Sequence, residues 1–373
     1  MRTISRTLAA IALAAPLMAC ATAPAAQTMP EAAAPASADE RLVLLGTGGG
    51  PIARVSRSQP ANLLQVGDKT YVIDIGAGTS RQIVRAGLRP NAIDAVFITH
   101  LHFDHTAGIM GFMALDWQDR RKAPVRIYGP PGTQELVDRT LSALAGGEGI
   151  FRPQLPDLGP MAGVFSGSDW DVTTAREVYR DEEVTVTAVE NSHYDTMHLE
   201  PTSHGIDRAY SYRFETGSRS IVFTGDTGPS AVVEKLARDV DMLVSEIIDI
   251  DAIAASLARR QAATGIDQTP LLDHMKQEHL TPENVGRMAA NARAKKLVLT
   301  HFATPPGIEG IDKDALLAEI RKHYGGPVEF GEDLAVYLSG DALLRVSGHC
   351  AGCRSDQLRP SACIAGGRRH RRT

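Results

Sequence analysis

The chain has 373 residues, 43% of them hydrophobic, 22% charged and 5% aromatic, and a formal net charge of −5. This composition excludes a disordered chain, collagen or a coiled coil, and it supplies enough apolar surface for a sizeable core. No stretch reaches the roughly 18 uninterrupted apolar residues of a membrane-spanning helix, which excludes an integral channel or transporter.

The first twenty residues have the layout of a secretory signal. Arg2 and Arg6 precede an apolar run from Leu8 to Ala19, and small residues surround Cys20. Leu17-Met18-Ala19-Cys20 resembles a bacterial lipobox, with Met18 departing from the usual small residue; soluble export with cleavage after Ala21 or Ala23 is the alternative. The expected location is therefore the periplasm of a Gram-negative bacterium, with a lipid anchor on the membrane or as a soluble exported protein. Residues 21–39 hold 9 Ala and 3 Pro, a composition too poor in large apolar groups to pack and suited to a tether.

Charge narrows the partners. Without Arg2 and Arg6 the balance is −7, and without residues 348–373, where six Arg face only Asp356, residues 21–347 carry −12. Nucleic-acid binding rests on many Lys and Arg contacts to phosphates, so no long nucleic acid is expected as a partner. The four cysteines, Cys20, Cys350, Cys353 and Cys363, leave 21–347 without any, so metal ligands there must be His and carboxylate. The tail, 348–373, reads either as a metal knuckle or redox pair at Cys350 and Cys353, or as an unstructured terminus. Its missing second ligand pair and Arg-rich end favour the latter.

From residue 40 to 347, short apolar runs alternate with helical patterns. Leu42–Leu45, Asn62–Val66, Tyr71–Ile75 and Ala95–Thr99 read as strands, followed by a helix over Thr106–Leu115, the strand Val125–Tyr128 and a helix over Gly132–Leu144. The Gly- and Pro-rich stretch 145–171, with Phe151, Phe165 and Trp170, reads as a long surface loop of the kind that lines a binding cleft. Strands return at Val184–Val189, Ala209–Glu215, Ser220–Phe223, Met242–Ser245, Leu297–Thr300 and Leu334–Leu338. Helices fall at Ser230–Arg238, Ala252–Gln261, Lys313–His323 and after Thr281, which caps a helix with Pro282 at its first position. Two strand-rich blocks, each followed by helices, predict an α/β protein with a four-layer sandwich, sheet on sheet with helices outside; a doubly wound sheet is the competitor. Gly46-Thr47-Gly48-Gly49-Gly50 does not lead into a helix, which argues against a dinucleotide loop.

The sharpest motif is Thr99-His100-Leu101-His102-Phe103-Asp104-His105, where a buried strand gives way to a helix. In an extended strand end, residues two apart point the same way, so His100 and His102 can share one ion while Asp104 and His105 address a second. Other strands end in further candidates: His193, Asp226 and His301, with His198 and His204 as possible replacements for His193.

Together with Leu45-Gly46-Thr47-Gly48-Gly49, Asp74-Ile75-Gly76-Ala77-Gly78-Thr79, Phe223-Thr224-Gly225-Asp226-Thr227 and Leu299-Thr300-His301-Phe302, this order of motifs resembles the metallo-β-lactamase superfamily. The likeness is nearer to the ribonuclease Z-like branch and spans Leu42 to about Leu338. It implies the four-layer αβ/βα fold and two zinc ions, with His100, His102 and His193 on one, Asp104, His105 and His301 on the other, and Asp226 bridging. Glu246 and His279 look like the pair that in ribonuclease Z-like phosphodiesterases assists the departing oxygen, and Asp104 would orient the nucleophile. Ribonucleases Z that process transfer RNA carry a long arm between the positions matching His193 and Asp226, and the 33-residue step here has no room for one. The expected activity is hydrolysis of a small ester, foremost a phosphodiester, by an exported dinuclear zinc enzyme. Lactone or β-lactam opening is the runner-up, and a non-catalytic zinc-binding lipoprotein the third reading. A dimer is an admissible oligomeric state.

Overall fold

The structure, a computed structural model, describes residues 40–339 and the backbone of residues 343–345. The signal, lipobox, tether and tail lie outside the described residues. Among the described residues no helix is long and apolar enough to cross a membrane.

The first half of the chain builds one sheet from β1 (Glu40–Gly46), β2 (Ala61–Val66), β3 (Lys69–Ile73), β4 (Ala95–Phe97), β5 (Val125–Gly129) and β6 (Phe165–Asp169). The second half builds another from β7 (Arg176–Arg180), β8 (Thr185–Glu190), β9 (Tyr210–Glu215), β10 (Ser220–Phe223), β11 (Met242–Ile248), β12 (Leu297–Ala303) and β13 (Val328–Phe330). β14 (Ala335–Leu338) and β15 (Leu343–Arg345) return to the first sheet, giving the orders β15-β14-β1-β2-β3-β4-β5-β6 and β13-β12-β11-β10-β9-β8-β7. The helices are α1 (Thr79–Arg85), α2 (Phe103–Thr106), α3 (Ile109–Gln118), α4 (Thr133–Phe151), α5 (Ala231–Leu236), α6 (Ile250–Thr264), α7 (Thr269–Glu278), α8 (Pro282–Asn291) and α9 (Lys313–Arg321).

Side-chain alternation explains the layering. On β1, Leu42 and Leu44 face the space between the sheets while Val43 and Leu45 face the helices. The inter-sheet core is rich in rings: Phe97 meets Phe214 edge-on at 5.2 Å and stacks on Tyr128 at 5.6 Å. A second core lies under α1, α3 and α4, and a third under α5, α8 and α9. The result is the predicted four-layer sandwich and not a doubly wound sheet.

Three local expectations are corrected. The helix expected over Thr106–Leu115 starts at Phe103 and is broken at Ala107-Gly108, with the second piece running to Gln118. The helix expected to stop at Leu144 continues to Phe151 through Gly146, Gly147 and Gly149, whose side-chain-free positions face open space. The stretch 145–171 is consequently no long cleft-lining loop. After α4 come two short 3-10 turns and then β6, whose Phe165 is buried in the helix-side core, while Trp170 stacks on Tyr128 at 4.9 Å between the sheets. Phe165 and Trp170 therefore serve the packing of the two cores, the first buried and the second partly buried.

Candidate metal centre

The sequence-predicted ligands converge at one edge of the sandwich, where strands of both sheets end. The edge is tied together by the Gly-rich turn after β1, which bridges to the end of β12: Gly49 N donates to the Phe302 carbonyl and Phe302 N to that of Thr47. A Cβ on Gly50 would sit 2.3 Å from Asp104 Oδ2, and one on Gly49 2.8 Å from the His301 ring. The glycines are therefore required by the closeness of two ligands, and Gly50 N donates to Asp104 Oδ2 at 2.9 Å.

His100, His102 and His193 form one group. His102 Nδ1 lies 3.1 Å from His100 Nε2 and also 3.1 Å from His193 Nε2. Three nitrogens tetrahedrally disposed about a zinc ion, with Zn–N near 2 Å, would stand about 3.3 Å apart, so the cup has the right aperture. His193 Nδ1 donates to the Glu278 carbonyl at 2.9 Å, which leaves its Nε2 as a lone pair for the cup. Burial holds the His100 pKa well below its ordinary value and lowers that of His193 to about 3, so both rings stay neutral donors. His198 is exposed, and His204 is engaged by Glu135 and Asp207 at 3.1 and 3.0 Å, so neither takes the place of His193.

Asp104, His105, Asp226 and His301 form the second group, all buried. Asp226 Oδ1 lies 3.2 Å from His105 Nε2 and 3.1 Å from His301 Nε2, and Asp104 Oδ2 lies 3.3 Å from His301 Nε2. The other Asp226 oxygen, Oδ2, faces the first group, 3.9 Å from His100 Nε2. His105 Nε2 and Asp226 Oδ1 are buried without a well-formed hydrogen bond, a costly state that a cation would relieve. Burial disfavours charge on His105 and His301, yet Asp226 with Asp104 raises the pKa of both, His301 to about 10. Two buried carboxylates thus demand positive charge, and a divalent ion can take the place of the protons. Donor set and geometry fit a metal site on both sides of Asp226.

Tertiary geometry adds residues that the sequence reading did not single out as functional. Asp74, in the left-handed region at φ 63°, accepts from Thr99 N at 2.7 Å and from His105 Nδ1 at 2.9 Å, orienting that ligand. Asn191 accepts from His193 N at 3.0 Å and donates to the Asp226 carbonyl at 2.9 Å, locking two ligand loops together. His301 sits at φ 47° where the β11–β12 register slips, an extra residue that tips its ring toward Asp226. The signal for Asp74 was present in the Asp-Ile-Gly-Ala-Gly-Thr turn; nothing local marks Asn191. Asp74→Ala is expected to weaken metal affinity about 10–100-fold and to destabilise the fold by about 1–3 kcal/mol through the orphaned Thr99 amide. Metal titration and thermal melts check both, and unchanged affinity would remove Asp74 from the centre.

Glu246, at the end of β11, is buried and accepts from His279 Nδ1 at 2.8 Å and from Thr227 N at 2.5 Å. His279 directly follows α7 and stands two residues ahead of the Thr281 cap of α8, whose Thr281 and Pro282 stand as the sequence predicts. Burial opposes its charge but Glu246 raises the His279 pKa above its ordinary value. His279 lies close enough to His193 and Asp226 to count as a third donor group, its Nδ1 3.9 Å from Asp226 Oδ2.

A cavity of about 590 Å³ opens from these ligands. Its far wall comes from α6 and α7, not from 145–171. Only part of α6 was expected from the sequence.

Comparison with known proteins agrees with this geometry. The beta-lactamase superfamily domain matches residues 71–302. Ribonuclease Z of Mycobacterium sp. (strain KMS) is 29% identical over 296 residues, 79% of this chain and 94% of that protein. Ribonuclease Z of Mycolicibacterium paratuberculosis is 28% identical over 299 residues, 79% of this chain and 96% of that protein. Among solved structures, human tRNase Z, short form, superposes with a TM-score of 0.54 at 23% identity, covering 80% of this chain and 99% of that one. The metallo-beta-lactamase fold protein YhfI from Bacillus subtilis reaches 0.56 at 19% identity, with 80% and 98% covered.

Proposed function

Because this chain belongs to the metallo-β-lactamase superfamily, with curated relatives that support a ribonuclease Z-like branch, we propose that it is an exported dinuclear zinc hydrolase of small phosphodiesters. One observation carries the choice of ester: the Glu246–His279 hydrogen bond of 2.8 Å beside the ligands. A strained lactone or β-lactam ring opens with little help to its leaving group, whereas an alkoxide leaving a phosphodiester needs a proton.

In this reading His100, His102 and His193 hold one zinc ion, Asp104, His105 and His301 the other, and Asp226 both. Bound there, the ions supply the positive charge that makes water nucleophilic at neutral pH and offsets charge on the attacked oxygen. Asp104, fixed by Gly50 N, orients the attacking water through its carboxylate. His279, its Nδ1 proton held by Glu246, gives the proton on Nε2 to the departing oxygen. A small substrate is supported by the acidic body and by the step from His193 to Asp226, which holds β9, β10 and a short surface loop but no arm. Export rests on the signal pattern of residues 1–20 alone.

The test is turnover of bis(p-nitrophenyl) phosphate, a chromogenic cephalosporin and a lactone by the zinc-loaded protein. Phosphodiester hydrolysis that a chelator abolishes is expected. Faster cephalosporin or lactone opening would replace the phosphodiester reading, and a fully metal-loaded protein inert toward all three would point to the non-catalytic one.

A further inference from the structure

The cavity of about 590 Å³ has room for one compact organic ligand, within the roughly 300–1,000 Å³ usual for such sites. One side is the ligand set. The other is a wall built by the α6–α7 hairpin, on which Ile253 and Leu257, four residues apart, and Leu271 and Met275, again four apart, bring apolar side chains to the same space.

Part of that wall holds the hairpin, since Leu257 and Met275 pack on the cluster of Ile248, Ile253 and Ala303, yet that cluster leaves both of them partly uncovered on the cavity side. Among the described residues of α6 and α7, Ile253 is the one apolar side chain that is buried, packing with Ile248 and Ala303. Leu257 and Met275 are half-buried and Leu271 is 41% exposed. The cavity mouth is apolar too, with Ile52 at 39% and Phe103 at 87% exposure. A contiguous apolar surface around a polar centre is the mark of a binding site whose ligand removes that surface from water.

The polar groups on the wall narrow the ligand further. They are Ser256, Arg260 and His274, and beyond the metal-centre residues no Asn, Gln, Asp or Glu lines the cavity among the described residues. Reading a nucleobase takes paired donors and acceptors against its edge and an aromatic platform against its face. Phe103, at the rim, is the only Phe, Tyr or Trp among the described lining residues.

We infer that the α6–α7 wall receives an aryl or branched alkyl group of the substrate, so that the ester is a diester with a bulky apolar organic substituent and not a nucleotide. Leu257 and Met275 set the size and polarity of the group accepted. The inference takes only the anionic head, held at the metal centre, from the phosphodiester reading.

Two measurements on the full chain, zinc-loaded, keep the two readings apart. Calorimetric binding of diphenyl phosphate against dimethyl phosphate needs no turnover and is expected to favour the diphenyl compound by about 10-fold or more, the discrimination typical of an apolar pocket. Leu257→Asp and, separately, Met275→Asp are expected to reduce that preference to within about 3-fold, with melting curves confirming that these half-exposed positions leave the fold intact. In turnover, kcat/KM is expected to fall from phenyl to methyl p-nitrophenyl phosphate, mainly through KM, with thymidine 5′-(p-nitrophenyl) phosphate no better than the methyl ester. Equal binding of the two diesters, a preference untouched by both substitutions, or a preference for the thymidine ester overturns the inference. Selective binding of diphenyl phosphate with no diester hydrolysed overturns the proposed activity and leaves the apolar wall standing.

Discussion

Asp226→Ala is expected to abolish turnover and to lower bound metal from the proposed two ions per chain to one or none. The reason is geometric: Oδ1 faces His105 and His301 at 3.2 and 3.1 Å while Oδ2 faces His100 at 3.9 Å, so one side chain serves both groups. Its removal also leaves His105 and His301 without the carboxylate that most favours their positive form. The loss in kcat/KM should exceed the roughly 100-fold that follows from removing a mere neighbour of a ligand. His301→Ala separates the two sites, since it strips only the group containing Asp104 and His105. Metal analysis by mass spectrometry beside turnover reads both variants; full activity in a protein that has lost its metal would end the metallo-hydrolase mechanism proposed above.

His279→Ala is expected to slow hydrolysis by an amount that depends on the leaving group. A side chain that protonates a departing oxygen contributes about 10²–10⁴-fold when that oxygen leaves as a strong base, and little when it leaves as the stable p-nitrophenolate. Across phenyl esters of decreasing leaving-group acidity, the variant's kcat/KM should therefore fall more steeply than that of the parent protein. Glu246→Gln, which leaves His279 in place but removes the charge on its 2.8 Å partner, should fall between the two. An equal loss for every leaving group, accompanied by lost metal, would instead make His279 a ligand in company with His193 and Asp226.

The candidate ligand set was legible because its parts are local. Buried strands announce themselves by apolar runs, and a His or Asp placed where such a run ends has few structural reasons to be there; His100, His102, Asp104, His105, His193, Asp226 and His301 all lie at such ends. The resemblance favoured His193 over His198 and His204, and the fold gives the geometric reason: all three follow the same strand, and of the three only His193 meets the ring of His102. The misreading of 145–171 has a physical source. Each glycine costs a helix only about 1 kcal/mol relative to alanine, which weakens a helix without ending it, so α4 runs through Gly146, Gly147 and Gly149 to Phe151. Likewise the aromatics at 165 and 170 served the core and not a cleft.

By itself the sequence determined the alternation that makes two sheets with helices outside, the chemical types of the candidate metal donors, and the Glu246–His279 pair near a helix start. These are matters of local periodicity and side-chain chemistry. Only the tertiary structure decided which orienting groups stand behind the ligands, Asp74 behind His105 and Asn191 between His193 and Asp226, because such pairs join residues up to 35 positions apart. It also decided that α6 and α7, not the Gly- and Pro-rich stretch, wall the cavity. A helix's amphipathic face shows in the sequence that it will meet something apolar, but whether that something is the core or an open cavity depends on how far the helix stands from the sheet, and no local pattern encodes that distance.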